Sequence, residues 1–292
     1  MYSTIISVSD LQRLMAAPAP LVICDCRHRL GVAGAGYQLY RQGHIAGAIF
    51  ADLDRQLSAR PGMTPHGHSG RHPLPEPEAW LKTLGEWGIT PATQVAAYDD
   101  AGGAYAARLW WMLRSVGHQA VAVLNGSLQA WAAAGGSLET SETQPTPAPS
   151  PYPAPARYER LMTIAEVREA MELPGPRRPL LVDARAPNRY RGEGETVDAL
   201  AGHIPGALNR YYMDNLNPDG AFRAPQELRS GFQPLIERAG ERAVVMYCGS
   251  GVSACHNLLA LEIAGLPAAR LFPNSWSGWS STPGLPVATG DE

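Results

Sequence analysis

Basic residues are scarce in this chain: lysine and arginine together number 24 against 27 aspartates and glutamates, leaving a formal net charge of -3 at pH 7. A weakly acidic balance does not build the positive field that holds nucleic acid. No nucleic-acid partner is expected, and a small anionic substrate must find a local basic site. Long apolar runs are also missing, although 45% of the residues are hydrophobic, so no segment reads as a membrane span. Met1 to Met15 has neither a basic start nor a continuous apolar stretch, so it is not read as a secretory signal. Cysteine is limited to four residues, Cys24, Cys26, Cys248 and Cys255. They could close two disulfides, but in a long chain without an export signal they are expected to stay reduced, which points to the cytoplasm.

What the chain does have is length and punctuation. At 292 residues it exceeds the usual size of one hydrophobic core, so two domains are expected. Between Gln144 and Ala156, proline stands at every second position from Pro145 to Pro155. Fixed φ angles and absent N–H groups keep such a segment out of helices and central strands, and make it a semi-rigid surface connector. The expected division is 1–140, a linker over 141–157, and 158–292.

The two halves repeat one another. Each opens with a capping-box spacing, Ser9 with Gln12 and Thr163 with Glu166, followed by a short apolar strand, Leu21–Asp25 or Leu180–Asp183. Gly43-His44-Ile45-Ala46-Gly47-Ala48 then matches Gly202-His203-Ile204-Pro205-Gly206-Ala207. Further strands, Val95–Tyr98 and Val244–Tyr247, run into glycine-containing loops and helices, Tyr105–Val116 and Ala254–Ala264. Short strands at Val121–Leu124 and Arg270–Phe272 follow, then a closing tryptophan, Trp131 or Trp279. Apolar strands alternating with helices predict an α/β fold of two tandem domains, each a parallel sheet with helices on both faces.

The most reactive-looking feature is Cys248, which opens Cys248-Gly249-Ser250-Gly251-Val252-Ser253 between a strand and a helix. Thiolate is the nucleophilic form, and helix N-terminal N–H groups lower a cysteine pKa from about 8.5 by one or more units. Gly249 and Gly251 let the backbone curl around a bulky anion, so the loop N–H groups from Gly249 to Ser253 are candidates for binding a sulfur donor. In the other half the equivalent of Cys248 is Asp99, which cannot carry sulfur. Cysteine-dependent phosphatases share this frame but need an arginine six positions after the cysteine, where this chain has Ala254. Cys24 and Cys26 lack the spacing of zinc ligands and read as packing residues, and no metal is expected.

With these motifs in hand, the whole chain resembles the tandem rhodanese family, whose members are thiosulfate or 3-mercaptopyruvate sulfurtransferases. The likeness rests on the two Gly-His-Ile-x-Gly-Ala repeats, on Gly70-Arg71-His72-Pro73-Leu74-Pro75, on Asp183-Ala184-Arg185 through Gly192, and on the cysteine loop. It implies a persulfide cycle in two half-reactions, passing sulfur to cyanide, a thiol or thioredoxin without a metal or organic cofactor. The loop is similar to the Cys-Gly-Ser-Gly-Val-Thr loop of the mercaptopyruvate branch, with Ser253 in place of threonine. Thiosulfate remains the alternative donor, and a noncatalytic persulfide carrier or redox sensor is a reading of another class.

From the same resemblance, Ser250, His72 and Asp54 are expected to manage the proton as the pyruvate enolate forms, in a cleft between the domains. Arg189 is expected to bind the donor carboxylate, with Arg185 and Arg191 as reserves that could equally be salt-bridge residues. Asp198 stands near where animal members carry a second carboxylate-binding arginine. The chain is expected to act as a monomer. His44 and His203 are expected to buttress turns, and Trp110, Trp111, Trp276 and Trp279 to serve as core or interface aromatics.

Overall fold

The computed structural model describes residues 1–59 and 70–291. The chain forms two compact units, one made of Met1–Ala59, Pro75–Glu159 and Leu216–Phe222, the other holding Arg160–Asn215 and Arg223–Glu292 together with the 70–74 segment. A purely sequential division misses the two short exchanges. Residues 70–74 join the second unit because Arg71 N–H donates to Ser277 Oγ at 3.0 Å and His72 bonds to Ser250. Residues 216–222 join the first, where Phe222 N–H donates to Asn125 Oδ1 at 2.8 Å.

The first unit contains β1 (Ile5–Ile6), α1 (Val8–Met15), β2 (Leu21–Asp25), α2 (Ala35–Gln42), β3 (His44–Ile45) and β4 (Ala48–Phe50). It continues with α3 (Pro77–Glu86), β5 (Gln94–Tyr98), α4 (Ala106–Ser115), β6 (Val121–Leu124), α5 (Ser127–Ala133) and β7 (Leu138–Glu139). Its main sheet runs β1-β6-β5-β2-β4, all parallel, while β3 and β7 pair antiparallel. Every residue of β5 and β6 is buried, as expected for central strands that bury both faces. Ile6, Ile23, Ala96, Tyr98, Leu124 and Trp131 share one core.

The second unit contains α6 (Ile164–Met171), β8 (Leu180–Asp183), α7 (Pro187–Arg191), β9 (Leu208–Asn209), α8 (Pro225–Ala239), β10 (Val244–Tyr247), α9 (Ala254–Ile263), β11 (Arg270–Leu271) and α10 (Ser275–Ser281). Its sheet is β11-β10-β8-β9, again parallel. Trp276 and Trp279 pack with Tyr247 and Phe272 in its core.

The repeat extends to single contacts. Tyr40 stacks on His44 and Tyr190 on His203, each with ring centroids 3.7 Å apart. His44 Nδ1 lies 2.8 Å from Tyr40 O and His203 Nδ1 2.8 Å from Tyr190 O, which is the buttressing role expected of them. The Thr163–Glu166 capping box forms. That of Ser9 does not: α1 begins at Val8, and Ser7, in extended conformation, accepts from Asp10 N–H instead, so Ser9 is already inside the helix. The proline-rich segment runs mostly exposed along α3, with Ala148 N–H on Gly85 O at 2.8 Å and Tyr152 N–H on Leu81 O at 3.0 Å.

Candidate active site

Strand β10 ends at Tyr247, and the chain turns through residues 248–253 into α9, with Ser253 as its N-cap residue. Cys248 sits at the C-terminal edge of the sheet, 2% exposed, where parallel α/β sheets place their ligands. The turn depends on Gly251, whose φ is +75° and whose missing Cβ leaves room for Pro273 O, 2.5 Å from where that atom would stand. Only glycine meets both conditions without strain.

The loop is braced from α10. Cys248 N–H donates to Ser275 Oγ at 3.1 Å, and Trp276 N–H donates to Cys248 O at 2.9 Å. Ser275 adopts a positive φ of 53°, a left-handed conformation costing a non-glycine residue on the order of 1–3 kcal/mol. Its counterpart Ser127, with φ 62°, repeats the feature, and each serine stands four residues before its unit's closing tryptophan. That spacing was the sequence signal for Ser275, which motif reasoning did not use.

Asp99 shows what this frame can hold. Its Oδ1 accepts from the N–H groups of Ala101 and Gly103 and its Oδ2 from those of Tyr105 and Ala106, all at 2.8–2.9 Å. Burial pushes the Asp99 carboxyl above its usual range, and the four amides pull the other way. Each oxygen takes two backbone N–H donors, and Oδ1 also accepts from Ser127 Oγ at 3.4 Å, so none of these contacts needs a proton on the carboxyl. The same strand-loop-helix frame in the second unit presents a sulfur atom at that position.

His72 Nδ1 lies 2.8 Å from Ser250 Oγ, and both residues are 6% exposed. His72 and Ser250, both expected to handle the proton, therefore meet. Asp54 belongs to the first unit, 47% exposed, with Oδ2 3.9 Å from His28 Nδ1.

Three arginines were candidates for the donor carboxylate, and their settings differ. Arg185 is buried and gripped by Asp183 through Nε and Nη2, with Nη2 also on Gly202 O at 2.6 Å. Arg27 makes the same contacts with Asp25 and Gly43 O, so this is a repeated structural pair; Arg185 also lies 4.9 Å from the Trp276 ring. Arg191 pairs with Glu193 near the surface. Arg189 is held by Glu195 and Asp198, and its Nη1 lies 3.6 Å from the position a Cβ at residue 249 would take. Motif reasoning missed Arg71, whose Nη2 is 3.1 Å from that same point.

The other cysteines are placed for packing. Cys24 and Cys26 are buried, and burial pushes both thiols well up. Cys255, also buried, directs its thiol to Gly251 O at 3.4 Å. None of the four cysteines is in a disulfide.

Comparison with known proteins adds an independent line. The rhodanese-like domain model matches twice, over residues 7–134 and 163–282. A Pseudomonas aeruginosa protein named "Probable 3-mercaptopyruvate sulfurtransferase" is 44% identical over 274 residues, covering 93% of both chains. The mouse thiosulfate sulfurtransferase is 34% identical over 245 residues, covering 82% of this chain and 78% of that protein. Among solved structures, 3-mercaptopyruvate sulfurtransferase from Leishmania major superposes with a TM-score of 0.80 at 31% identity, covering 94% of this chain and 73% of that one.

Proposed function

The chain belongs to the family of sulfurtransferases built from two rhodanese-like domains, and from that premise we propose that it moves sulfur from 3-mercaptopyruvate to a thiol acceptor through a persulfide on Cys248. In the first half-reaction the Cys248 thiolate attacks the donor sulfur. An S–S bond forms, the donor C–S bond breaks, and its electron pair passes to the pyruvate enolate, which takes a proton and leaves as pyruvate. In the second, an acceptor thiol, thioredoxin or cyanide attacks the outer sulfur and restores the thiolate.

The observation that carries this reading is the 2.8 Å hydrogen bond between His72 and Ser250, two residues beyond the nucleophile. A serine hydroxyl alone is a poor proton donor, and an imidazole partner lets it deliver a proton to the enolate. Asp54 is assigned as the carboxylate that orients His72 on its sequence motif. Arg189, through its Nη1, is assigned to the donor carboxylate, and the loop amides from Gly249 through Gly251 and Val252 to Ser253 to the transferred sulfur. Catalysis belongs to the C-terminal domain, and the N-terminal copy, with Asp99 where the cysteine stands, is noncatalytic. The free cysteines support a reducing, cytoplasmic setting, and no described helix is long and apolar enough to cross a membrane. The working species is proposed to be the monomer.

Steady-state assays with 3-mercaptopyruvate and with thiosulfate, using cyanide as acceptor, test the reading. The larger kcat/KM is expected for 3-mercaptopyruvate. A larger value for thiosulfate, which the likeness to thiosulfate sulfurtransferase keeps as the second reading, reverses the donor assignment. A persulfide that forms but passes to no acceptor makes the protein a carrier instead.

A further inference from the structure

The first unit holds a cavity of about 680 Å³, within the roughly 300–1,000 Å³ usual for small-molecule sites. Four stretches of chain line it: the start of α2, the 49–56 segment, Trp87 and the first residues of the proline-rich connector. One wall is aromatic. Tyr37, Tyr40 and Phe50 all face the cavity, with the Tyr37 ring centroid 6.2 Å from that of Tyr40 and 5.6 Å from that of Phe50. The connector is pinned to this wall, since Tyr37 OH donates to Glu142 Oε2 at 3.1 Å and Thr143 N–H to Tyr40 OH at 3.0 Å. Asp52, Asp54 and Glu142 bring three carboxylates to the lining, against the single guanidinium of Arg55. Arg55 Nε lies 3.8 Å from Asp52 and Arg41 Nη1 3.9 Å from Glu142, and both arginines are more than half exposed. Solvent screens such pairs, so the carboxylates keep most of their charge for a ligand.

The fold does not require this wall, as the second copy shows. Tyr190 repeats the histidine stack of Tyr40, but three positions before it stands Pro187, where α2 has Tyr37. Phe50 lies opposite Asp25 in the first sheet, and the residue opposite Asp183 in the second is Asn209. Asn209 spends its amide on Asp183 O and Arg185 O. Two rings thus belong to the first copy alone, and Tyr37 is left 37% exposed. We propose that the cavity binds a small organic ammonium ion with an apolar body. Its carbon skeleton packs on the rings, whose electron-rich faces attract a cation, and its N–H groups donate to the carboxylates. The excess of carboxylates repels an anion. A bare divalent metal ion needs several oxygens converging at about 2.0–2.6 Å, which an aromatic wall does not supply. Nothing in this site depends on sulfur transfer.

Calorimetric titration of the full chain with two probes of nearly equal shape tests the site. Phenethylammonium carries the charge and 2-phenylethanol does not. The ammonium ion is expected to bind about tenfold more tightly than the alcohol, the worth of one cation–π contact with its charge-assisted hydrogen bonds. Tyr37→Ala is expected to weaken the ammonium ion about tenfold, and Phe50→Asn, which installs the second copy's residue, to do the same. Tyr37→Phe keeps the ring and retains binding, which separates loss of the wall from loss of the hydroxyl. Glu142→Gln weakens the ammonium ion several-fold and leaves the alcohol unchanged. Asp54 lines the cavity and is also assigned to His72, so it is left unaltered. An ammonium ion that binds no better than the alcohol, an affinity indifferent to Tyr37→Ala, or no saturable heat up to about 10 mM overturns the proposal.

Discussion

Ser250 and His72 stand 178 residues apart in sequence and 2.8 Å apart in space. In the proposed reaction their hydrogen bond serves one step, protonation of the enolate left when the C–S bond breaks. Thiosulfate releases sulfite and forms no enolate. Ser250→Ala is therefore expected to lower kcat with 3-mercaptopyruvate about 100-fold and with thiosulfate only a few-fold, in side-by-side steady-state assays. Equal losses with both donors would give Ser250 a role in shaping the loop instead. Both residues were legible because each lies in a short motif with a reason for its residue types. Arg71 lay in such a motif too and was passed over. Its relevance comes from where the 70–74 segment packs, and nothing local in Gly70-Arg71-His72 specifies a meeting with Gly249. The grip of Glu195 and Asp198 on Arg189 was hidden for the same reason: it depends on the path of an irregular loop.

The element that makes the site is the strand-loop-helix turn from β10 to α9. Gly251 combines a left-handed φ with a close approach to Pro273 O, a backbone atom that cannot swing aside. Gly251→Ala is expected to cost about 2–4 kcal/mol, from backbone strain and overpacking together. Gly249→Ala should cost much less, since the nearest atom there is the end of a flexible arginine. Chemical denaturation of the two variants checks this, and equal midpoints would contradict it. Strands such as Leu21–Asp25, Val121–Leu124, Leu180–Asp183 and Val244–Tyr247 were readable to the residue, because short apolar runs bounded by loops leave the chain few alternatives. The start of α1 was not. Ser7 and Ser9 both offer a hydroxyl, and only the backbone angles at Ser7 decide which one caps.

For the molecule as a whole, duplication explains most of what was legible. Aligning the halves predicted paired sheets, turn-buttressing histidines and a closing tryptophan in each half, and placed Asp99 opposite Cys248. It could not show that short segments from each half pack into the other unit, since an exchange of a few residues leaves hydrophobic periodicity unchanged. The Asp99 cradle shows that this frame can aim four backbone N–H groups at one side chain. In the second copy the group in that place is Cys248, proposed to act as thiolate and then persulfide. The most direct test is to incubate the protein with 3-mercaptopyruvate without acceptor, then measure its mass and map the cysteine peptides. The expected result is a single added sulfur atom on the Cys248 peptide with one pyruvate released per chain, and neither in Cys248→Ser. Sulfur carried on Cys24, Cys26 or Cys255 instead, or pyruvate released by Cys248→Ser, would contradict the account.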